Sequence, residues 1–201
     1  MTAPLTDGLL AQLQGAPLAQ ISQQLGLSPQ QAQGAVSAAL PLLMGALGNN
    51  ASKPEGAANL FGALQRDHAG AGGIGDLLGS VLGGGGQGEA ILGHIFGGGS
   101  QQGAAQNLGQ ATGLQSGQAQ TLLKLLAPIV MAYLAKQMGS GKADSASGLG
   151  ALLGQEQAQI RQEGGVGGGL LGKVMDQDGD GQFGVSDLIK LGSGLLGSGK
   201  R

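Results

Sequence analysis

Residues 26–44 read Gly26-Leu27-Ser28-Pro29-Gln30-Gln31-Ala32-Gln33-Gly34-Ala35-Val36-Ser37-Ala38-Ala39-Leu40-Pro41-Leu42-Leu43-Met44. From Ala32 onward the apolar positions Ala35, Val36, Ala39, Leu40, Leu43 and Met44 return at three- and four-residue spacing, which marks one face of a helix. Ser28 followed by Pro29 supplies an N-cap and a residue suited to the first turn, while Gly26 closes a shorter amphipathic helix before it. β-branched and aromatic residues are sparse and period-two alternation is short, so no sheet is expected. The fold class that follows is all-α.

The pattern returns. Gly113-Leu114-Gln115-Ser116-Gly117-Gln118-Ala119-Gln120 repeats residues 26–33 at an offset of 87, and the same offset sets Pro41 on Pro128 and Met44 on Met131. The second helix has its apolar face at Leu122, Leu123, Leu126, Ile129, Val130 and Tyr133. One residue further out of register, Phe61-Gly62-Ala63-Leu64 matches Leu149-Gly150-Ala151-Leu152, and Asp76-Leu77-Leu78 falls on Asp187-Leu188-Ile189 after another insertion. The expected organisation is two internally duplicated units of small helices, 1–98 and 99–201, with Gly-rich connections at 83–86, 97–99 and 164–169. A kink or break is expected near Pro41 and Pro128. Ser52-Lys53-Pro54-Glu55 has the spacing of a capping box and predicts a helix through Phe61 to Arg66.

Composition narrows the chemistry. Glycine is 44 of 201 residues, and charged residues are 11%, against about 25% in an ordinary globular domain. The absence of cysteine removes disulfides, thiolate zinc sites and cysteine nucleophiles. The net charge of −2 argues against attachment to nucleic acid by bulk positive charge. The first residues carry neither the basic region nor the apolar stretch of a secretory signal, and the first cation is Lys53. The longest apolar run, Leu122 to Ala135, contains Lys124 and Pro128 and falls short of the roughly 20 residues of a bilayer span. The expectation is a cytoplasmic chain without a membrane span, export by a route without an N-terminal signal remaining open.

One segment carries sharp chemistry. Residues 176–187 read Asp176-Gln177-Asp178-Gly179-Asp180-Gly181-Gln182-Phe183-Gly184-Val185-Ser186-Asp187, the pattern of an EF-hand loop. Asp176, Asp178 and Asp180 supply carboxylates at positions one, three and five, Gly181 permits the turn, and Gln182 offers its backbone carbonyl at seven. Gly184 leaves position nine to water, Phe183 is an apolar plug, and Asp187 closes the shell at twelve. Four carboxylates this close repel one another unless a cation compensates them, and no Lys or Arg lies within the loop. The expected ion is Ca2+, with Mg2+ also suited to a small, hard ligand set. Asp187 is one methylene shorter than the usual Glu, which predicts weaker binding than in a regulatory EF-hand, as in the dockerin-type loops that this segment resembles. Flanking apolar residues are interrupted by Gly172 and Gly192, so a structural clip is expected rather than a large-amplitude sensor. A degenerate counterpart, Asp67 to Asp76, has Ala69 and Ala71 where carboxylates would stand and is not expected to hold the ion.

Other signals are weaker. Residues 18–33 look like a helix-turn-helix, which makes a nucleic-acid-binding regulator the alternative function. Such a regulator needs cations for phosphates, and residues 1–52 have no Lys or Arg, so helical packing is the preferred reading and no nucleic-acid partner is expected. Gly167 to Gly172 satisfies a dinucleotide-loop pattern, a match that 44 glycines make unremarked. His94 lies on an apolar helical stretch, His68 has no ligand spacing to it, and no catalytic triad stands out, so no enzyme is expected. A protein partner or self-association is expected instead.

Three stretches, Ile91-Leu92-Gly93-His94-Ile95-Phe96-Gly97-Gly98, Leu40-Pro41-Leu42-Leu43-Met44-Gly45 with Pro54-Glu55-Gly56-Ala57, and Leu126-Ala127-Pro128-Ile129-Val130-Met131, resemble the bacterial domain of unknown function 937 family, YidB-like. The resemblance covers roughly residues 20 to 190. It implies homeodomain-like packing of small helices and no particular activity, and it implies that members similar to this chain carry an acidic loop near the C-terminus.

Overall fold

The computed structural model describes residues 4–67, 79, 87–96, 100–141 and 143–163. Among the described residues the regular elements are eight helices: α1 Leu5–Leu13, α2 Ala16–Leu25, α3 Pro29–Ala51, α4 Pro54–Asp67, α5 Gln87–Phe96, α6 Ser100–Thr112, α7 Ser116–Gly139 and α8 Ala146–Glu163. The described part of the chain is all-helical, as its periodicity predicts. α3 and α7, of 23 and 24 residues, are longer than the small helices expected.

α3 and α7 lie at the centre because they are apolar around most of their circumference. Leu40, Leu42, Leu43 and Met44 of α3 are fully buried, as are Leu126, Ala127, Ile129 and Val130 of α7. α3 packs against α1, α2, α4, α5, α6, α7 and α8, while α7 also takes α2, α4, α5 and α6. A single hydrophobic cluster draws a side chain from every helix, among them Leu9, Ile21, Leu43, Leu64, Leu92, Leu108, Leu126 and Leu153. α7 is long and apolar enough to pass for a membrane span by length and composition alone, but most of it is covered by its neighbours. It is a core helix, and there is no clear membrane span among the described residues.

Of the kink or break expected near each proline, no break occurs. α3 runs unbroken through Pro41 and α7 through Pro128. An interior proline costs a helix about 3 kcal/mol through its missing N–H and its clash with the preceding turn. The four fully buried side chains beside Pro41 contribute roughly 1.5–3 kcal/mol each, so packing on all sides outweighs the local defect. At Pro128 the carbonyl left without an amide donor is that of Lys124, and Gly88 of α5 packs directly on it, where an added Cβ would overlap the oxygen.

The helix ends follow from capping chemistry, with one correction. Gly26 takes the left-handed conformation, φ 64°, and the Leu27 N–H donates to the Ser22 carbonyl at 2.9 Å, which closes α2. The Gln31 N–H donates to Ser28 Oγ at 3.3 Å and the Ser28 N–H to Gln31 Oε1 at 3.0 Å, a capping box at the start of α3. Gly113 is also left-handed, φ 74°, and the Gln115 N–H donates to Gln118 Oε1 at 3.1 Å at the start of α7. The other end of that amide, Gln118 Nε2, donates to the Leu25 carbonyl at 2.9 Å and ties α7 to the end of α2. The capping box expected at Ser52 is absent: Ser52 Oγ donates instead to the Asn49 carbonyl at 2.7 Å and terminates α3. The helix predicted there still forms, as α4, starting at Pro54. α8 is capped by Ser145, whose Oγ accepts from the Gly148 N–H at 3.1 Å. A Cβ added at Gly48 would stand 3.1 Å from the Leu153 carbonyl oxygen, and one at Gly150 3.2 Å from that of Ala51, so α3 and α8 cross almost backbone to backbone.

Candidate functional site

The residues that the sequence singles out for metal, Asp176, Asp178, Asp180, Gln182 and Asp187, lie outside the described residues, as do His68 and most of the degenerate loop 67–76. Among the described residues no group of three or more His, Asp or Glu side chains is placed to hold a metal ion.

The helical body builds a different site, around Glu156. α1 begins after Pro4, which has no side-chain acceptor, so its first N–H groups need a partner from elsewhere. Glu156 of α8 supplies it. The Leu5 N–H donates to Glu156 Oε2 at 2.8 Å, and the Thr6 N–H donates to Oε1, also at 2.8 Å. Thr6 Oγ1 adds a third donor to Oε1. Glu156 is 4% exposed. No cation pairs with it among the residues whose side chains are described; the one ion pair among these joins Lys124 Nζ to Glu89 at 2.9 Å on the surface. Its charge is held by directed N–H and O–H groups and by the positive end of α1, the arrangement that makes helix N-termini anion sites.

Tyr133 of α7 stands behind the same helix start. A Cβ at Gly8 would lie 2.5 Å from its hydroxyl, so α1 reaches the phenol only because residue 8 is glycine. Burial pushes the Tyr133 phenol above its ordinary 10.0; a hydrogen bond with Gln137 opposes the rise, and the nearby Glu156 charge adds to it.

In front of the carboxylate opens a cleft of about 840 Å³ between α1, α3, α6 and α8. Its walls include Thr6, Asp7, Gln31, Gly34, Thr112 and Gln159, with Leu10, Pro41 and Ile160 as apolar surface. A second hollow of about 580 Å³ lies between α4 and α5 and contains His94, Asn50 and Asn59. No carboxylate lines it among the described residues, and Asn50 Nδ2 donates to the His94 carbonyl at 2.7 Å. The helix-turn-helix look of residues 18–33 corresponds to α2, the Gly26 turn and the start of α3, where Gln30, Gln31 and Gln33 are exposed.

Sequence reasoning missed Glu156. On α8 it stands between Gln155 and Gln157 like any solvated residue, and its partners come from the opposite end of the chain. The only local hint was negative: a helix starting behind Pro4 has no cap of its own.

What these helices define is an all-α protein with two long central helices, close glycine crossings and caps exchanged between distant elements. The profile of the family described as bacterial protein of unknown function (DUF937) matches residues 7–137, more than half of the chain, and the chain belongs to that family. The match begins earlier than the resemblance suggests and ends within α7, short of α8 and of the 176–187 loop. No curated protein and no solved structure matches this chain.

Proposed function

We propose that this protein is a non-catalytic helical scaffold that carries a calcium-binding, EF-hand-like loop at 176–187 and acts through structure or through a protein partner. The observation that carries the reading is the spacing of Asp176, Asp178, Asp180 and Asp187 around Gly181, with no Lys or Arg inside the loop. The way the body spends its polar groups supports it. The buried carboxylate Glu156 is committed to holding α1 onto α8, the helix whose C-terminal end at Glu163 leads toward the loop. The organisation within this reading is two copies of one YidB-like, homeodomain-like unit, residues 1–98 with α1–α5 and residues 99–201 with α6–α8. It is supported by the starts of α3 and α7, the left-handed Gly26 and Gly113, and the Gln31 and Gln118 caps, all at the 87-residue offset of the sequence repeat. The helix-turn-helix unit belongs to that packing, since residues 1–52 bring no cation to a phosphate backbone.

Calorimetric titration of the whole chain with Ca2+ tests the ion. Saturable heat is expected, with a Kd weaker than the roughly 10⁻⁵ M that bounds sensor EF-hands because Asp187 closes the shell, and Asp178→Ala is expected to abolish it. No heat and no change in circular dichroism up to millimolar Ca2+ would sink the reading.

A further inference from the structure

We propose that the cleft between α1, α3, α6 and α8 is a binding site for a small organic cation, an ammonium or guanidinium group on a short apolar body. Its volume of about 840 Å³ falls among those of small-molecule pockets. Its charge selects the ligand. Asp7 and Glu156 both line it, and no described lining residue is Lys, Arg or His. Glu156 keeps its three donors on residues 5 and 6 and the positive end of α1, which offsets about half a unit of charge. The accessible negative charge of the cleft is therefore chiefly that of Asp7, exposed and without an ion pair among the described residues. Acceptors are available beside the carboxylates. Pro41 has no N–H to give the Ser37 carbonyl, and both residues are in the wall. Leu10, Pro41 and Ile160 give an apolar body somewhere to lie.

The other interior proline shows what filling such a place looks like. At Pro128 the freed Lys124 carbonyl is covered by Gly88, and the neighbouring Glu89 carboxylate already has its cation in Lys124 Nζ at 2.9 Å. The wall beside Pro41 is open by comparison: a Cβ added at Gly34, in the same wall, would meet nothing within 4 Å, and the one ion pair among the described residues lies elsewhere, at Lys124 and Glu89. The site is therefore complementary to a group that brings its own positive charge and N–H donors.

The test is an amide-resolved NMR titration of the full chain with n-butylammonium, in excess chelator so that the 176–187 loop holds no divalent ion and a failure of calcium binding leaves the result untouched. Butan-1-ol and butyrate serve as the neutral and anionic matches. Saturable shifts are expected for butylammonium at Thr6, Asp7, Gly34, Ser37 and Thr112, with binding about tenfold weaker for the alcohol and none for butyrate. Asp7→Asn, at an exposed position, should weaken the cation by about tenfold and bring it close to the alcohol. Gly34→Leu should fill the cleft and abolish binding while the remaining spectrum stays folded. Shifts that do not saturate, equal binding of cation and alcohol, or unchanged binding in Gly34→Leu would each overturn the proposal.

Discussion

A carboxylate withdrawn from water with no cation paired to it among the described side chains must find donors, and Glu156 finds three of them on residues 5 and 6. Glu156→Gln keeps the shape but turns one acceptor oxygen into an N–H group facing an N–H group. We expect the substitution to cost about 1–3 kcal/mol in urea unfolding, with amide exchange at Leu5 and Thr6 rising more than elsewhere. Tyr133, the single tyrosine of the chain, gives a second readout. Removing the Glu156 charge takes away one of the influences that raise its phenol, so ionisation should move down while staying above the ordinary value, because burial is the larger cause. The sign for stability follows: the neutral phenol's contribution is complete below the unfolded value and is lost as pH rises through the higher folded one. If Leu5 and Thr6 exchange no faster in Glu156→Gln, the carboxylate is not what holds α1. None of this was legible in the sequence, because a carboxylate on a polar helix face and a helix start behind Pro4 reveal their connection only when α1 and α8 are brought together.

For whole elements, the sequence disclosed what depends on near neighbours and hid what depends on packing. The Gly26 turn, the Ser28 cap and the helical faces of α3 and α7 are set within a few residues and came through. The break allowed for at Pro41 and the capping box expected at Ser52 are both missing, for one shared reason. Burial carries α3 through its proline to Ala51, and the helix end that results takes the Ser52 hydroxyl for its own last turn. The acidic loop is legible as chemistry, but Asp176 to Asp187 lie outside the described residues. Two glycines separate helix propensity from packing. In Gly34→Ala the new methyl meets nothing within 4 Å, so α3 should gain about 0.5–1 kcal/mol from propensity and reduced unfolded-state freedom. In Gly88→Ala the methyl meets the Lys124 carbonyl, a backbone atom of the central helix α7, and stability should fall by about 1–3 kcal/mol. Urea midpoints decide it: two substitutions of one sign would mean that the α5–α7 contact is looser than the structure shows.

At the level of the whole molecule, sequence repetition and structural independence are different properties. The repeat boundary read from the sequence falls between residues 98 and 99, after α5, yet α3 packs against α6, α7 and α8, and α5 packs on α7. Polar ties cross the same line: Leu5 to Glu156, Leu25 to Gln118, and the Gly45 carbonyl to Gln157 Nε2 at 3.3 Å. Cutting there would bare α3 around Leu40, Leu43 and Met44, side chains worth roughly 1.5–3 kcal/mol each when buried. A few such losses consume the 5–15 kcal/mol that typically holds a domain together, a figure of roughly that order for most single domains. Fragments 1–98 and 99–201 produced separately should therefore show weak, non-cooperative far-ultraviolet dichroism. Mixed in equal amounts, they should regain the helicity and a cooperative melt, because the surfaces each exposes are those the other covers. A fragment 1–98 that unfolds cooperatively on its own would show instead that the first unit closes its own core and that its contacts with α6, α7 and α8 only add to it.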